Sequence, residues 1–155
     1  MPSALTRSSS VTSPSDGAST LALTVPARSR EVAGIRRAID ALGRRAGLDT
    51  DRLGDVALAV GEACANAVVH GYADREPGVL RITADVTPEG LRVVVADDGH
   101  GLASRPDSPG LGLGLPLIAS LASALEVRVR SAGGTEIWMM FATQEPNPAE
   151  WAPTG

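Results

Sequence analysis

Apolar residues recur along this chain with two different periods, and the changes between them mark its elements. Leu-Ala-Leu-Thr-Val at 21–25 alternates as a half-buried strand does, and Pro26 closes it. Val32, Ile35, Ile39, Leu42 and Ala46 then follow at helical steps, predicting a helix capped by Ser29 and stopped by Gly47. A second helix opens at Asp49 or Thr50, carries Leu53, Val56, Ala57, Val60, Cys64, Ala67 and Val68 on one side, and ends at Gly71. Two strands follow in hairpin style, 79–86 and 91–96, joined by Pro88-Glu89-Gly90. A glycine-rich connection runs from Asp97 to Gly114 and leads into a helix over 115–124 with Pro116 in its first turn. Strands at 126–130 and 135–141, with Gly133-Gly134 between them, complete the pattern. The order β-α-α-β-β-α-β-β predicts a two-layer α/β sandwich whose mixed, mostly antiparallel sheet carries helices on one face.

Outside these elements the periodicity stops. Residues 1–18 are rich in Ser, Thr, Pro and Ala, and 144–155 are similar, so both read as flexible tails around one domain at 19–143. A chain of 155 residues is long enough to bury its own core. Its net charge of −4 lacks the basic bias of a nucleic-acid binder, and with only 3% aromatic residues it has few platforms on which bases could stack. The single cysteine, Cys64, has no internal partner for a disulfide, which fits a reduced compartment. With neither a signal-peptide pattern nor a membrane-spanning run, the expected location is cytoplasmic.

Four features could carry chemistry. The second helix places Glu62, Asn66 and His70 four residues apart within an apolar run. At about 100° per residue, Glu62 and Asn66 point roughly opposite Leu53, Val56, Val60, Cys64 and Ala67. Their neighbours on that side include Leu58, Ala59, Ala65 and Val69, so the helix is expected to be covered twice, with the Glu and Asn facing the second cover. A plain hydrogen-bonded helical pair is the alternative. A Glu62–Asn66–His70 metal trio is disfavoured, because an amide is a poor soft-metal ligand and no fourth ligand is suggested nearby.

The second feature, Asp97-Asp98-Gly99-His100-Gly101, sits at a strand end. There glycines let a ligand approach and an aspartate can accept a hydrogen bond from an amino group, although alone it could be a tight turn. The third, Gly110-Leu-Gly-Leu-Gly-Leu115, enters a helix, where free N–H groups and the helix dipole favour an anion such as phosphate; packing of alternating Gly and Leu is the alternative. No Gly-Lys-Ser/Thr follows it and no Gly-x-Gly-x-x-Gly follows the first strand, so neither a Walker loop nor a dinucleotide fold is indicated. The fourth, Gly134-Thr135 at the start of the last strand, is a turn when seen alone.

In this order and spacing, Glu62-x-x-x-Asn66, Asp97-x-Gly99-x-Gly101, Gly110-x-Gly112-x-Gly114 and Gly134-Thr135 resemble the nucleotide site of the GHKL (Bergerat-fold) ATPase/kinase superfamily. Within it, Ala-Val-Gly-Glu-Ala-Cys-Ala-Asn-Ala-Val-Val-His-Gly-Tyr is most similar to bacterial anti-sigma factor serine/threonine kinases of the SpoIIAB and RsbW type. The resemblance covers residues 20–142 and implies ATP and Mg²⁺ as cofactors. It makes Glu62 the catalytic base, Asn66 the magnesium ligand, Asp97 the acceptor of the adenine amino group, and Thr135 its support through water. Gly99 and Gly101 would admit the adenine, while Gly110, Gly112 and Gly114 would hold the phosphates beneath a lid at 102–109. It further implies a homodimer that binds a sigma factor and phosphorylates an anti-anti-sigma protein, with no direct contact to nucleic acid or membrane. A histidine kinase would need a phosphoacceptor His on a dimerising helix pair, yet His70 and His100 both lie inside the nucleotide motifs. A chaperone or topoisomerase would need a transducer domain. A serine kinase therefore survives, with an ATP-dependent binding module lacking kinase turnover as its competitor.

Overall fold

The structure, a computed structural model, describes residues 19–71, 78–99, 111–131 and 133–143; the two tails expected at 1–18 and 144–155 lie outside them. Five strands, β1 (Thr20–Pro26), β2 (Val79–Thr87), β3 (Gly90–Asp97), β4 (Ala124–Val129) and β5 (Thr135–Ala142), form one sheet in the order β1-β2-β3-β5-β4. The expected mixed sheet is corrected in one respect: every pairing among the described strands is antiparallel. Alternation along the strands puts Leu23, Ile82, Val95 and Ile137 in one row across the sheet on its inner side. Three helices, α1 (Val32–Arg45), α2 (Thr50–Gly71) and α3 (Leu111–Leu121), complete the described fold. Ile35, Ile39 and Leu42 of α1 and Val56, Val60 and Cys64 of α2 join the inner strand residues in one buried core. Each such large aliphatic side chain contributes about 1.5–3 kcal/mol when fully buried.

The helix ends follow local chemistry, with one surprise. Ser29 does not cap α1: it opens a short 3₁₀ turn, Ser29–Glu31, in which the Glu31 N–H donates to the Arg28 carbonyl at 3.0 Å. A backbone carbonyl thus replaces the expected hydroxyl. At the other end Gly47 adopts φ 86°, its N–H donating to the Arg44 carbonyl and that of Leu48 to the Gly43 carbonyl, the double closure that a left-handed residue permits. Asp49 caps α2 by accepting the Arg52 N–H at 2.8 Å.

The third helix departs most from expectation. It starts four residues early, at Leu111, and ends at Leu121, while Ala124 already belongs to β4. Gly112 and Gly114 are therefore helical, and Pro116 lies in the helix interior instead of its first turn. The N–H that Pro116 lacks would have met the carbonyl of Gly112. Arg52 fastens the far end of this helix: its guanidinium donates to the Leu121 carbonyl, the Ser123 hydroxyl and Asp55, and its Nε to the Ala142 carbonyl. No helix among the described residues is long and apolar enough to cross a membrane.

Candidate functional site

Helix α2 is covered on two sides, but the second side differs from the one the helical wheel indicated. Ala59, Ala63 and Asn66 are buried on a strip beside the core-facing one, and Asn66 meets α3. Leu58, Ala65 and Val69, expected beneath a cover, are exposed, Leu58 by 45% and Val69 by 58%. Glu62 falls between the strips and is half-buried. The carboxylate and the amide thus occupy different environments, one at a lip and one inside.

Asn66 is 6% exposed, and its Nδ2 makes no hydrogen bond among the described residues. The plain helical pair with Glu62 is therefore not made through that atom. An unsatisfied buried amide costs about 1–3 kcal/mol, which a structure tolerates where a ligand completes the set. Gly114 stands directly against this amide. A Cβ added there would lie 2.5 Å from Nδ2 and 2.9 Å from Oδ1 of Asn66, so only glycine leaves the amide its place. Turning the amide about Cβ–Cγ exchanges its ends and offers either donors to a phosphate or an oxygen to a cation. Gly112, in the first turn of α3, belongs to the stretch whose N–H groups have no partner inside the helix and favour an anion.

The second half of the site is built on β3 and β5. Asp97 ends β3 opposite Thr135, which begins β5, and both side chains face inward and are buried. Gly134, at φ 99°, makes this pairing possible, since a Cβ there would strike the Asp97 carbonyl oxygen. Burial pushes the Asp97 carboxyl above the usual carboxylate range; the Gly99 N–H, donating to its Oδ1 at 2.9 Å, and the backbone at Thr135 pull the other way. Neighbouring Asp98 has another task, its Oδ1 accepting the Val79 N–H at 3.3 Å. A buried, inward-facing carboxylate with acceptor capacity to spare suits recognition of an amino group.

The structure thus joins Asn66 to Gly114 and Asp97 to Thr135 and Gly99, and places Gly112 at the start of α3. Gly101, Gly110 and the expected lid at 102–109 lie outside the described residues, as does the side chain of His70. No cluster of three His, Cys, Asp or Glu side chains suited to a metal occurs among the described residues. The donor set still fits a nucleotide carried with a hard cation, because such an ion is held largely by its own phosphates and waters together with one or two protein oxygens. Sequence reasoning missed Arg52 and the division of labour between Asp97 and Asp98. The first joins residues up to 90 positions apart and left no local signal. The second follows from strand alternation once the end of β3 is known, and that alternation could have revealed it.

Comparison with known proteins agrees with this geometry. The family described as "Histidine kinase-like ATPase domain" matches residues 25–141. The "Anti-sigma F factor" of Clostridium beijerinckii is 33% identical over 56% of this chain and 68% of that protein. The "Serine-protein kinase RsbW" of Bacillus subtilis is 32% identical over 74% of this chain and 80% of that protein. Among solved structures, the blue-light activated histidine kinase of Erythrobacter litoralis EL346 superposes with a TM-score of 0.52 at 25% identity, covering 74% of this chain and 41% of that one. A five-stranded antiparallel sheet backed by three helices, an Asn facing a helical glycine, and a match across most of the length lead to one conclusion: the chain belongs to the histidine kinase-like ATPase domain family.

Proposed function

We propose that this chain is an ATP-dependent anti-sigma regulator with serine/threonine kinase activity, binding a sigma factor and phosphorylating a small anti-anti-sigma protein. Membership of the ATPase family supports ATP use, and the names of the relatives support the regulatory role. The observation that carries the reading is the buried, unpartnered amide of Asn66 set against Gly114 at the start of α3. In this reading Asn66 holds Mg²⁺ beside the phosphates, and Gly112 and Gly114, with Gly110 beyond the described residues, surround them with N–H groups. Asp97 accepts the adenine amino group with Thr135 in support, and Gly99 and Gly101 leave room for the ring. Glu62, at the lip of its helix, receives the proton of the attacking hydroxyl. Bound Mg²⁺ would supply charge neutralisation at the phosphates, the dominant need of phosphoryl transfer.

The test combines nucleotide binding with transfer of label from radiolabelled ATP to candidate antagonist proteins. Glu62→Gln should bind ATP as wild type does and lose transfer by at least about 100-fold, the usual scale for a general base. Asn66→Ala should lose Mg²⁺-dependent nucleotide binding while the ligand-free protein melts no lower, because the orphaned amide goes with it. Variants that both match wild type would refute the site assignment. Nucleotide binding without transfer to any antagonist would establish the binding module in place of the kinase.

A further inference from the structure

The two edges of the sheet are finished differently. Along edge strand β1 the inner residues Leu21, Leu23 and Val25 are buried, and Pro26 closes the strand. Along the opposite edge, β4, the inner residues Val127 and Val129 stay 36% and 58% exposed. Leu125, nearer the start of β4, packs against the core, and the cover stops there. The backbone of β4 is open as well, for its one neighbour among the described strands is β5. The Arg130 N–H donates to the Gly134 carbonyl at 3.0 Å, and in an antiparallel ladder every second residue bonds to the same side. The N–H and C=O groups of Arg128, Glu126 and Ala124 therefore face β5, while those of Leu125, Val127 and Val129 point away from the sheet. Neither a proline nor an inward-pointing charge, two usual protections of an exposed strand, guards this edge.

We propose that β4 is a docking edge to which an extended segment of a partner protein adds as an antiparallel strand, with aliphatic side chains on Val127 and Val129 and a carboxylate toward Arg130. Three observations select this occupant. An extended backbone offers donors and acceptors at the spacing that the outward groups of Leu125, Val127 and Val129 present. Directly opposed side chains of paired strands share a face, so the exposed valines require aliphatic residues at every second position of the segment. On the outer side Arg130 lies 4.0 Å from Glu136, whose other oxygen already accepts the Trp138 Nε1 at 2.9 Å, so the guanidinium has capacity for a second acid. Arg128 and Glu126, by contrast, are spent on each other at 2.8 Å, with the Arg128 guanidinium drawn over the Trp138 ring. A second copy fits less well: paired about Val127 it would set Arg130 opposite Ala124 and supply no acid. The chain's own C-terminal stretch carries Pro146, Pro148 and Pro153, which lack the N–H that such a ladder needs.

The inference does not depend on the nucleotide reading, since Asp97 lies on β3, with β5 between it and β4. The probe is a fluorescein-labelled peptide, Glu-Val-Thr-Val-Thr-Val-Thr, blocked at its C-terminus. In antiparallel register it sets its glutamate opposite Arg130 and its valines opposite Val129, Val127 and Leu125. Fluorescence anisotropy with the full chain should show saturable binding with a Kd below about 1 mM, unchanged by saturating Mg²⁺-ATP. Methylating the valine nitrogens should abolish binding, because those N–H groups face β4, whereas methylating the threonine nitrogens should leave it intact. Val127→Pro removes an outward N–H and no bond to β5, so it should weaken binding by at least about tenfold with unchanged circular dichroism. Should that variant fail to fold, the two methylated peptides decide. Absence of saturation, equal or reversed effects of the two methylations, a folded Val127→Pro that binds as wild type does, or displacement by Mg²⁺-ATP would each overturn the proposal. A mass by light scattering that halves in Val127→Pro would give the edge to a second copy and overturn it too.

Discussion

Glu62 and Asn66 stand one helical turn apart, and their environments already separate their chemistry: the carboxylate is half-buried at a lip, whereas the amide is buried with an unused donor. Asp97 shows the same logic in a titrating group. With its pKa raised by burial, the folded state holds the Asp97 proton more tightly than the unfolded chain does. The resulting stability is fully present below the unfolded carboxylate value of about 3.9 and is lost as pH rises through the higher folded value. Asp97→Asn should therefore melt above wild type at pH 7 without nucleotide, the gap closing toward pH 3, as calorimetry across pH would show. Adenine nucleotide affinity should fall at least about tenfold in the same variant, the loss of one charged hydrogen bond. Cys64 is the inert contrast, its thiol pushed up to about 12 by burial and placed in the core as a small apolar residue.

Among elements, α3 shows how one glycine can serve a neighbouring helix instead of its own. Read as a chain segment, Gly110-Leu-Gly-Leu-Gly suggests N–H groups gathered for an anion just before a helix; in the structure Gly112 and Gly114 are helical, and Gly114 is needed because Asn66 occupies the space of its side chain. Gly114→Ala should keep the fold, since alanine favours a helix by up to about 1 kcal/mol over glycine and only the tip of Asn66 must move. Nucleotide affinity should nonetheless drop at least about tenfold, the scale of one displaced charged contact, measured by titration beside a melting curve. The strand pattern was legible because alternation reports directly which face is buried. The start of α3 was not, because glycine and proline carry weak helix propensity and tertiary packing overrides it. Ser29 misled for a related reason: a hydroxyl can cap, but here the Arg28 carbonyl accepts the Glu31 N–H that closes the turn.

At the scale of the molecule, contacts distant in sequence decide how the two halves of the site are held. Arg52 ties α2 to the end of α3 and to β5, with Phe141 beneath its guanidinium at 5.6 Å. Arg52→Ala leaves the Leu121 and Ala142 carbonyls without that donor and should cost about 2–3 kcal/mol in denaturant unfolding. Hydrophobic periodicity, the four motifs and their order determined the number and type of the elements, the two-layer class and the family resemblance, because each depends on residues close together in the chain. Only the tertiary structure decided that Asn66 is orphaned against Gly114, that Leu58 and Val69 lie exposed, and that Trp138 stands in one outward row with Val94, Thr83 and Ala22. These depend on which residue arrives from elsewhere to fill, or leave open, the space beside a side chain, and no local pattern encodes that neighbour.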